Sequence, residues 1–356
     1  MQVPPAPEII LGEVRQYTTG RVELDRAISD LIEKAGGSLE KSLLQEMITT
    51  VLRLRAEKVQ RGELKIINTT LKEMRYAFKV FEPYRTIRKV AIFGSARTPK
   101  TASEYKQAKE FGREIARRGW MVITGGATGI MSAGNEGAGP ENSFGVNIRL
   151  PFEQEANPIM TKDPKLINFK YFFTRKLMFL KESDATVLCP GGFGTHDEGF
   201  ESLTLVQTGK AAPRPIICID PPGSRYWQTW RHFVVKELLN RKLIDDNDLD
   251  LINFTHDAKE AADIITGFYR NYHSLRFVGD KLVIRMNRSL NDRILNRLNH
   301  EFPKIVRKGN IQLLEGPLPE EDNEPDTFNL FRIVLDFNRR DYAQLRKMID
   351  VINEEG

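Results

Sequence analysis

Short apolar runs alternate with longer amphipathic ones through the middle of the chain. Val90-Ala-Ile-Phe93, Trp120-Met-Val-Ile123, Phe144 to Leu150, Ala185-Thr-Val-Leu-Cys189 and Pro215-Ile-Ile-Cys-Ile219 are brief and partly β-branched, as buried strands are. Between and after them, Ser103 to Gly119, Thr174 to Lys181, Trp227 to Leu239 and Ala258 to Tyr269 read as helices. Another helix begins after Pro190, carrying Phe200, Leu203, Val206 and Gln207 at helical spacing, with Gly209 as its stop. Lys165 to Phe173 reads as a further strand with the loop into the next helix, and the stretch through Asn135, Glu136 and Ala138 as helix. Strands alternating with helices predict an α/β fold, a parallel sheet covered on both faces in three αβα layers. Ligands on such sheets sit beyond the carboxyl ends of the strands.

The flanks follow other grammars. From Leu24 to Phe81 the pattern is helical: Ile28, Leu31 and Ile32 form one face, then a Gly36-Gly37 break, then Ser38 as an N-cap. Leu43, Leu44, Met47, Ile48, Val51, Leu52 and Leu54 stripe a second helix, and Leu71, Met74, Phe78 and Phe81 a third that ends before Pro83. This extension, residues 1–87, reads as a packing or dimerisation element behind a Pro-rich lead-in through about residue 20. After Tyr272, a hairpin turning at Gly279-Asp280, a helix over Leu290 to Val306, strands at Ile311–Leu314 and Phe331–Phe337, and a helix over Tyr342–Ile352 predict a small α+β domain, possibly ferredoxin-like. The expected organisation is thus 1–87, 88–272 and 273–356. The length of 356 residues suits about two to three domains.

Composition narrows the function classes. A net charge of +5 from 53 Lys and Arg against 48 Asp and Glu suits a small anionic ligand at least as well as nucleic acid. No apolar run approaches the roughly 18 residues of a membrane span, and Met1-Gln-Val-Pro-Pro-Ala-Pro7 lacks the features of a signal peptide. The two cysteines, Cys189 and Cys218, each end an apolar run and read as buried thiols, so a reducing cytoplasm is expected.

The chemistry concentrates at Pro190-Gly-Gly-Phe-Gly-Thr-His-Asp-Glu198, which joins a strand end to a helix start. Three glycines in four positions let backbone approach a ligand and aim free N–H groups at it, while the helix dipole favours an anion. Thr195 reads as an N-cap or a phosphate contact. Glu198, a carboxylate beside an anion site, implies that something cationic or hydroxyl-rich also binds there. Gly94-Ser95-Ala-Arg97-Thr98 and Thr124-Gly125-Gly126-Ala-Thr-Gly129-Ile-Met131 form two further turns at the same sheet edge. The stretch from Gly94 to Thr101 has Pro99 where a Walker A motif needs glycine, and the dinucleotide fingerprint fails because Asp197 falls at its third glycine. The five histidines lack metal-ligand spacing, so neither metal nor cofactor is expected, and His196 reads as supporting or incidental rather than catalytic. Arg175, just upstream of the central strand, can drop to the edge that holds Glu198. A guanidinium and a carboxylate flanking one anion site suit a phosphorylated sugar.

Pro-Gly-Gly-x-Gly-Thr-x-x-Glu at 190–198, preceded by Arg175-Lys176-x-Met178, resembles the signature of the LOG (Lonely Guy) family, once mislabelled as lysine decarboxylases. The resemblance covers roughly residues 88 to 268, including Gly94-Ser95, 124–131 and Asn147-Ile-Arg-Leu-Pro-Phe-Glu-Gln154. It implies a Rossmann-like fold and a phosphoribohydrolase that cleaves the N-glycosidic bond of a nucleoside 5′-monophosphate, with AMP as generic substrate and cytokinin nucleotides in plants and some microbes. By resemblance, Arg175 and Glu198 are the catalytic pair and Lys176 a binding residue, while Gly191, Gly192, Gly194 and Thr195 hold phosphate. Gly94, Ser95, Gly125 and Gly126 complete the expected substrate site. The family also implies a homodimer or higher homo-oligomer. The chain departs from the commonest pattern at His196 and Gly199, where Leu is frequent, which bears on substrate choice. Decarboxylation finds no pyridoxal-phosphate lysine site to support it.

Two other classes compete. A nucleotide or molybdenum-cofactor carrier or sensor on the same fold has no evident need for Glu198. A nucleic-acid-binding protein of the DNA-processing type finds support only in net charge and in basic segments such as Lys304-Ile-Val-Arg-Lys308, without aromatic interleaving.

Overall fold

A computed structural model describes residues 17–149, 156–321 and 324–354. Most of the Pro-rich lead-in, Leu150 to Gln154 of the family motif, and Asp322 and Asn323 of the acidic loop lie outside the described residues. The chain divides into two compact units, residues 1–71 and 72–356.

In the first unit, α1 (Val22–Lys34) packs on α2 (Lys41–Ala56), and α3 (Arg61–Phe81) begins. Ser38 does not cap α2. Its Oγ accepts from the Glu40 N–H at 3.0 Å, which turns the chain locally, and the helix starts at Lys41. The apolar stripe of α2 is largely open, with Leu43, Met47 and Val51 all exposed.

The second unit is built on a parallel seven-stranded sheet in the order β4-β3-β2-β1-β5-β6-β7. Its strands are β1 (Lys89–Phe93), β2 (Met121–Thr124), β3 (Ser143–Ile148), β4 (Leu166–Phe169), β5 (Ala185–Leu188), β6 (Ile216–Ile219) and β7 (Ile252–Thr255). Their helices are α4 (Ser103–Arg117), α5 (Ile130–Ala138), α6 (Phe172–Glu182), α7 (Phe193–Gln207), α8 (Tyr226–Phe233) and α9 (Ala258–Phe268). Strand side chains alternate between the two faces. Val90, Ile92, Val122, Val187 and Ile217 join a core with Phe111 of α4, Ile130 of α5 and Ile265 of α9. On the opposite face Ala91, Met121 and Ile123 meet Phe81, Met178 and Phe179, while Leu188 and Cys218 meet Val206 and Trp227. Both layers are therefore filled, and the Rossmann-like reading holds. Strand β7 is absent from the sequence expectation because Asn253 interrupts its short apolar run, yet it pairs Ile252 to Thr255 with Ile216 to Ile219. Among the described residues no helix is long and apolar enough to cross a membrane.

Downstream, β8 (Tyr272–Val278), β9 (Lys281–Met286), α10 (Asp292–Glu301), β10 (Gln312–Leu314), β11 (Phe331–Leu335) and α11 (Tyr342–Glu354) follow one another. The four strands form an antiparallel sheet in the order β10-β11-β9-β8. This ββαββα succession is not the βαββαβ order of a ferredoxin-like unit. The acidic loop is anchored through Glu321, fully buried between Arg285 at 2.6 Å and Arg332 at 2.9 Å. Helix α11 also reaches the larger sheet's helices. Gly209, at φ +71° just after α7, lies under the Tyr342 ring so closely that a Cβ there would come within 2.0 Å of it.

Candidate active site

The three turns at the carboxyl ends of β1, β2 and β5 are tied together by backbone hydrogen bonds. Ser95 N–H donates to Pro190 O at 3.1 Å, and Ile130 N–H donates to Ser95 O at 3.0 Å. Gly129 has φ +66°, and a Cβ there would strike Ser95 O at 2.2 Å, so this close approach requires glycine. The turns enclose a cavity of about 740 Å³. Gly94 and Ser95 line it from the first turn, Gly125 from the second, and Gly191, Gly192, Gly194 and Thr195 from the third. Arg175 enters from α6 and Glu198 from α7.

Arg175 and Glu198 are both largely buried, with Nη2 4.0 Å from Oε1. Burial lowers the Arg175 pKa from its ordinary value, with Glu198 and Asp197 opposing. Burial likewise raises that of Glu198, opposed by Lys176 and Arg175. Arg175 Nε is buried without a hydrogen-bond partner, and its guanidinium lies 4.9 Å from the centre of the Phe172 ring.

Two of the expected residues do not line this cavity. Gly126, at φ +69°, turns the chain beneath it, donating to Thr124 Oγ1 and accepting from the Asn157 N–H. Lys176 is held by carboxylates instead: Nζ lies 2.5 Å from Glu201, 3.0 Å from Asp197 and 3.5 Å from Glu198. Burial pulls the Lys176 pKa down, but the hydrogen bonds to Glu201 and Asp197 outweigh it and the ammonium is stabilised. Nor is Thr195 the N-cap of α7. The helix starts two residues earlier at Phe193 after Gly192, and Thr195 N–H donates to Gly192 O at 3.0 Å.

The family model described as "Possible lysine decarboxylase" matches residues 126–265. A cytokinin riboside 5′-monophosphate phosphoribohydrolase of Mycobacterium tuberculosis is 30% identical over 148 residues, which are 40% of this chain and 72% of that relative. The chain belongs to the LOG family. A probable cytokinin riboside 5′-monophosphate phosphoribohydrolase of rice is 26% identical over 152 residues, and the match spans 42% of this chain and 59% of that relative. Among solved structures, the molybdenum cofactor binding protein of Rippkaea orientalis aligns with 20% identity and a TM-score of 0.35, covering 51% of this chain and 94% of that one.

This LOG-family site also contains residues that sequence reasoning missed. Tyr226 Oη donates to Gly191 O at 2.5 Å and lies 2.7 Å from His196 Nε2. With its one proton on Gly191, Tyr226 accepts from His196, so the imidazole carries its proton on Nε2. Burial lowers the His196 pKa from its ordinary value. The relay pins the glycine turn, a supporting role. Asp197 and Glu201 had a signal, an acidic i, i+4 pair on one helix face; Tyr226 is remote in sequence and had none. At Gly199, a departure from the commonest family pattern, a Cβ would come within 2.9 Å of a Leu188 methyl. Among the described residues no group of three or more His, Cys, Asp or Glu side chains could hold a metal ion.

Proposed function

We propose that this chain is a nucleoside 5′-monophosphate phosphoribohydrolase, cleaving AMP or a cytokinin riboside monophosphate to free base and ribose 5-phosphate. The observation that carries the reading is a buried carboxylate, Glu198, facing Arg175 across a cavity whose other walls are glycine turns. Names borne by the relatives from Mycobacterium tuberculosis and rice point the same way.

In the proposed reaction the C1′–N bond of the nucleotide breaks and positive charge builds on the ribose. Glu198 stabilises that oxocarbenium-like state and orients the attacking water. One water proton leaves with the base, and the hydroxyl stays on C1′. Arg175 clamps the nucleotide next to the breaking bond. Backbone N–H groups of Gly191, Gly192 and Gly194 at the start of α7, with the Thr195 hydroxyl, receive the phosphate. At Gly192 and Gly194 a Cβ would meet no protein atom within 4 Å, which leaves that space to a ligand. Lys176 serves Glu198 and not the phosphate, since three carboxylates hold its ammonium. The reaction is assigned to residues 88–272 in a cytoplasmic homo-oligomer, with 1–87 and 273–356 as additions for assembly or regulation.

The test is release of adenine and ribose 5-phosphate from AMP by the purified protein. Turnover supports the hydrolase, whereas tight AMP binding without turnover supports a nucleotide carrier or sensor.

A further inference from the structure

A cation favours entry of a phosphate dianion, and the Lys176 ammonium is already held by Asp197, Glu198 and Glu201. Arg175 faces Glu198. Among the described residues the remaining arginine or lysine lining the cavity is Arg97. It is exposed, and its side chain makes no hydrogen bond or ion pair with the described residues. Its backbone is nevertheless fixed. Arg97 N–H donates to Ser95 Oγ at 3.1 Å, and the neighbouring Ala96 O accepts from Thr128 Oγ1 at 2.9 Å. The residue thus rides on a turn bonded to both other glycine turns, close to the start of α7.

We propose that Arg97 is the phosphate-binding cation of this site and makes it select nucleoside monophosphates over nucleosides. The inference rests on the nucleotide reading above and adds the substrate's orientation: phosphate toward Arg97 and the third turn, glycosidic bond toward Arg175 and Glu198. A guanidinium suits this task because its fork can take two phosphate oxygens at once. The geometry also limits the number of phosphates. A neighbouring surface pocket of about 370 Å³ shares Arg97, Ser95 and Gly191 with this cavity, and Glu104 also lines it. A second phosphate extending there would meet a carboxylate of like charge, so the site takes a monophosphate in preference to a diphosphate.

Calorimetric binding of AMP, ADP and adenosine to the wild-type chain, Arg97→Ala and Arg97→Lys tests this, with circular dichroism as the check on folding. Loss of one charge-assisted phosphate contact weakens AMP about tenfold or more in Arg97→Ala. Adenosine affinity stays unchanged, Arg97→Lys recovers part of the loss, and ADP binds the wild type more weakly than AMP. Unchanged AMP affinity in Arg97→Ala, or an equal loss for adenosine, overturns the assignment; ADP binding as tightly as AMP overturns the limit to one phosphate. Failure of the hydrolase reading looks different: AMP binds with the Arg97 dependence intact and is not cleaved.

Discussion

Arg175 and Glu198 approach to 4.0 Å without forming a close hydrogen bond. A shorter, bidentate pair would spend both groups on each other. At this separation the guanidinium still favours the ionised carboxylate, and both remain available to a ligand.

Glu198→Gln keeps size and hydrogen-bonding capacity but removes the charge. We expect a fall in AMP turnover of about a hundredfold or more with binding largely retained. In the wild type, burial raises the Glu198 pKa above its ordinary 4.5. Activity that requires the carboxylate is therefore lost as pH falls through that raised value. A pH profile of kcat/KM reads it, and an acid limb at or below 4.5 contradicts the assignment.

Lys176→Met removes an ammonium 3.5 Å from Glu198 and leaves Asp197 and Glu201 as added negative charge. Arg175 remains as the facing cation. The Glu198 pKa then rises further, so the acid limb moves to higher pH, while affinity for ribose 5-phosphate is unchanged. A variant that instead loses ribose 5-phosphate with its pH profile intact would place Lys176 at the phosphate.

The glycines of the third turn should separate folding from binding. Gly194→Ala places a methyl in open space within α7 and adds helix propensity, about 1 kcal/mol of gain, yet blocks the ligand. Gly191→Ala drives a Cβ to 2.0 Å from Thr195 Oγ1 and must destabilise the turn. Urea unfolding beside AMP titration distinguishes the two, and unimpaired AMP binding by Gly194→Ala would place the ligand elsewhere.

Glu321 neutralises two buried arginines in the antiparallel sheet. Glu321→Ala leaves Arg285 and Arg332 without that carboxylate and should cost about 3–5 kcal/mol of stability. Burial opposes its charge, but its hydrogen bonds to Leu318, Arg285 and Arg332 outweigh that and hold its pKa below 4.5. The contribution is thus present above the ordinary value and lost as pH falls through the depressed one. Denaturant melts at neutral and acid pH measure both, and a loss under 1 kcal/mol at neutral pH would contradict this account.

Strands and site were legible to different degrees for physical reasons. Val90 to Phe93 and Ala185 to Cys189 announce themselves because strands buried on both faces are apolar throughout. Ile252 to Thr255 does not, because an edge strand four residues long tolerates Asn253. The turns at 94, 125 and 190 were legible as one edge, since their glycines mark where backbone must approach backbone or ligand. The ion pairs of Lys176 were not legible because sequence adjacency to Arg175 says nothing of which carboxylates α7 presents to it. The Tyr226–Gly191 hydrogen bond joins residues 35 positions apart, beyond any local pattern.

The Tyr342 ring lies over Gly209, where the helix bearing Glu198 ends. Those two positions are bound to a common history. A chain that kept the final helix could not acquire a side chain at 209 without giving up the ring, and a chain that shed that helix would be released from glycine by packing, though not by φ. Paired variation at 209 and 342 across related sequences would therefore record when the C-terminal segment became inseparable from the helix that carries Glu198.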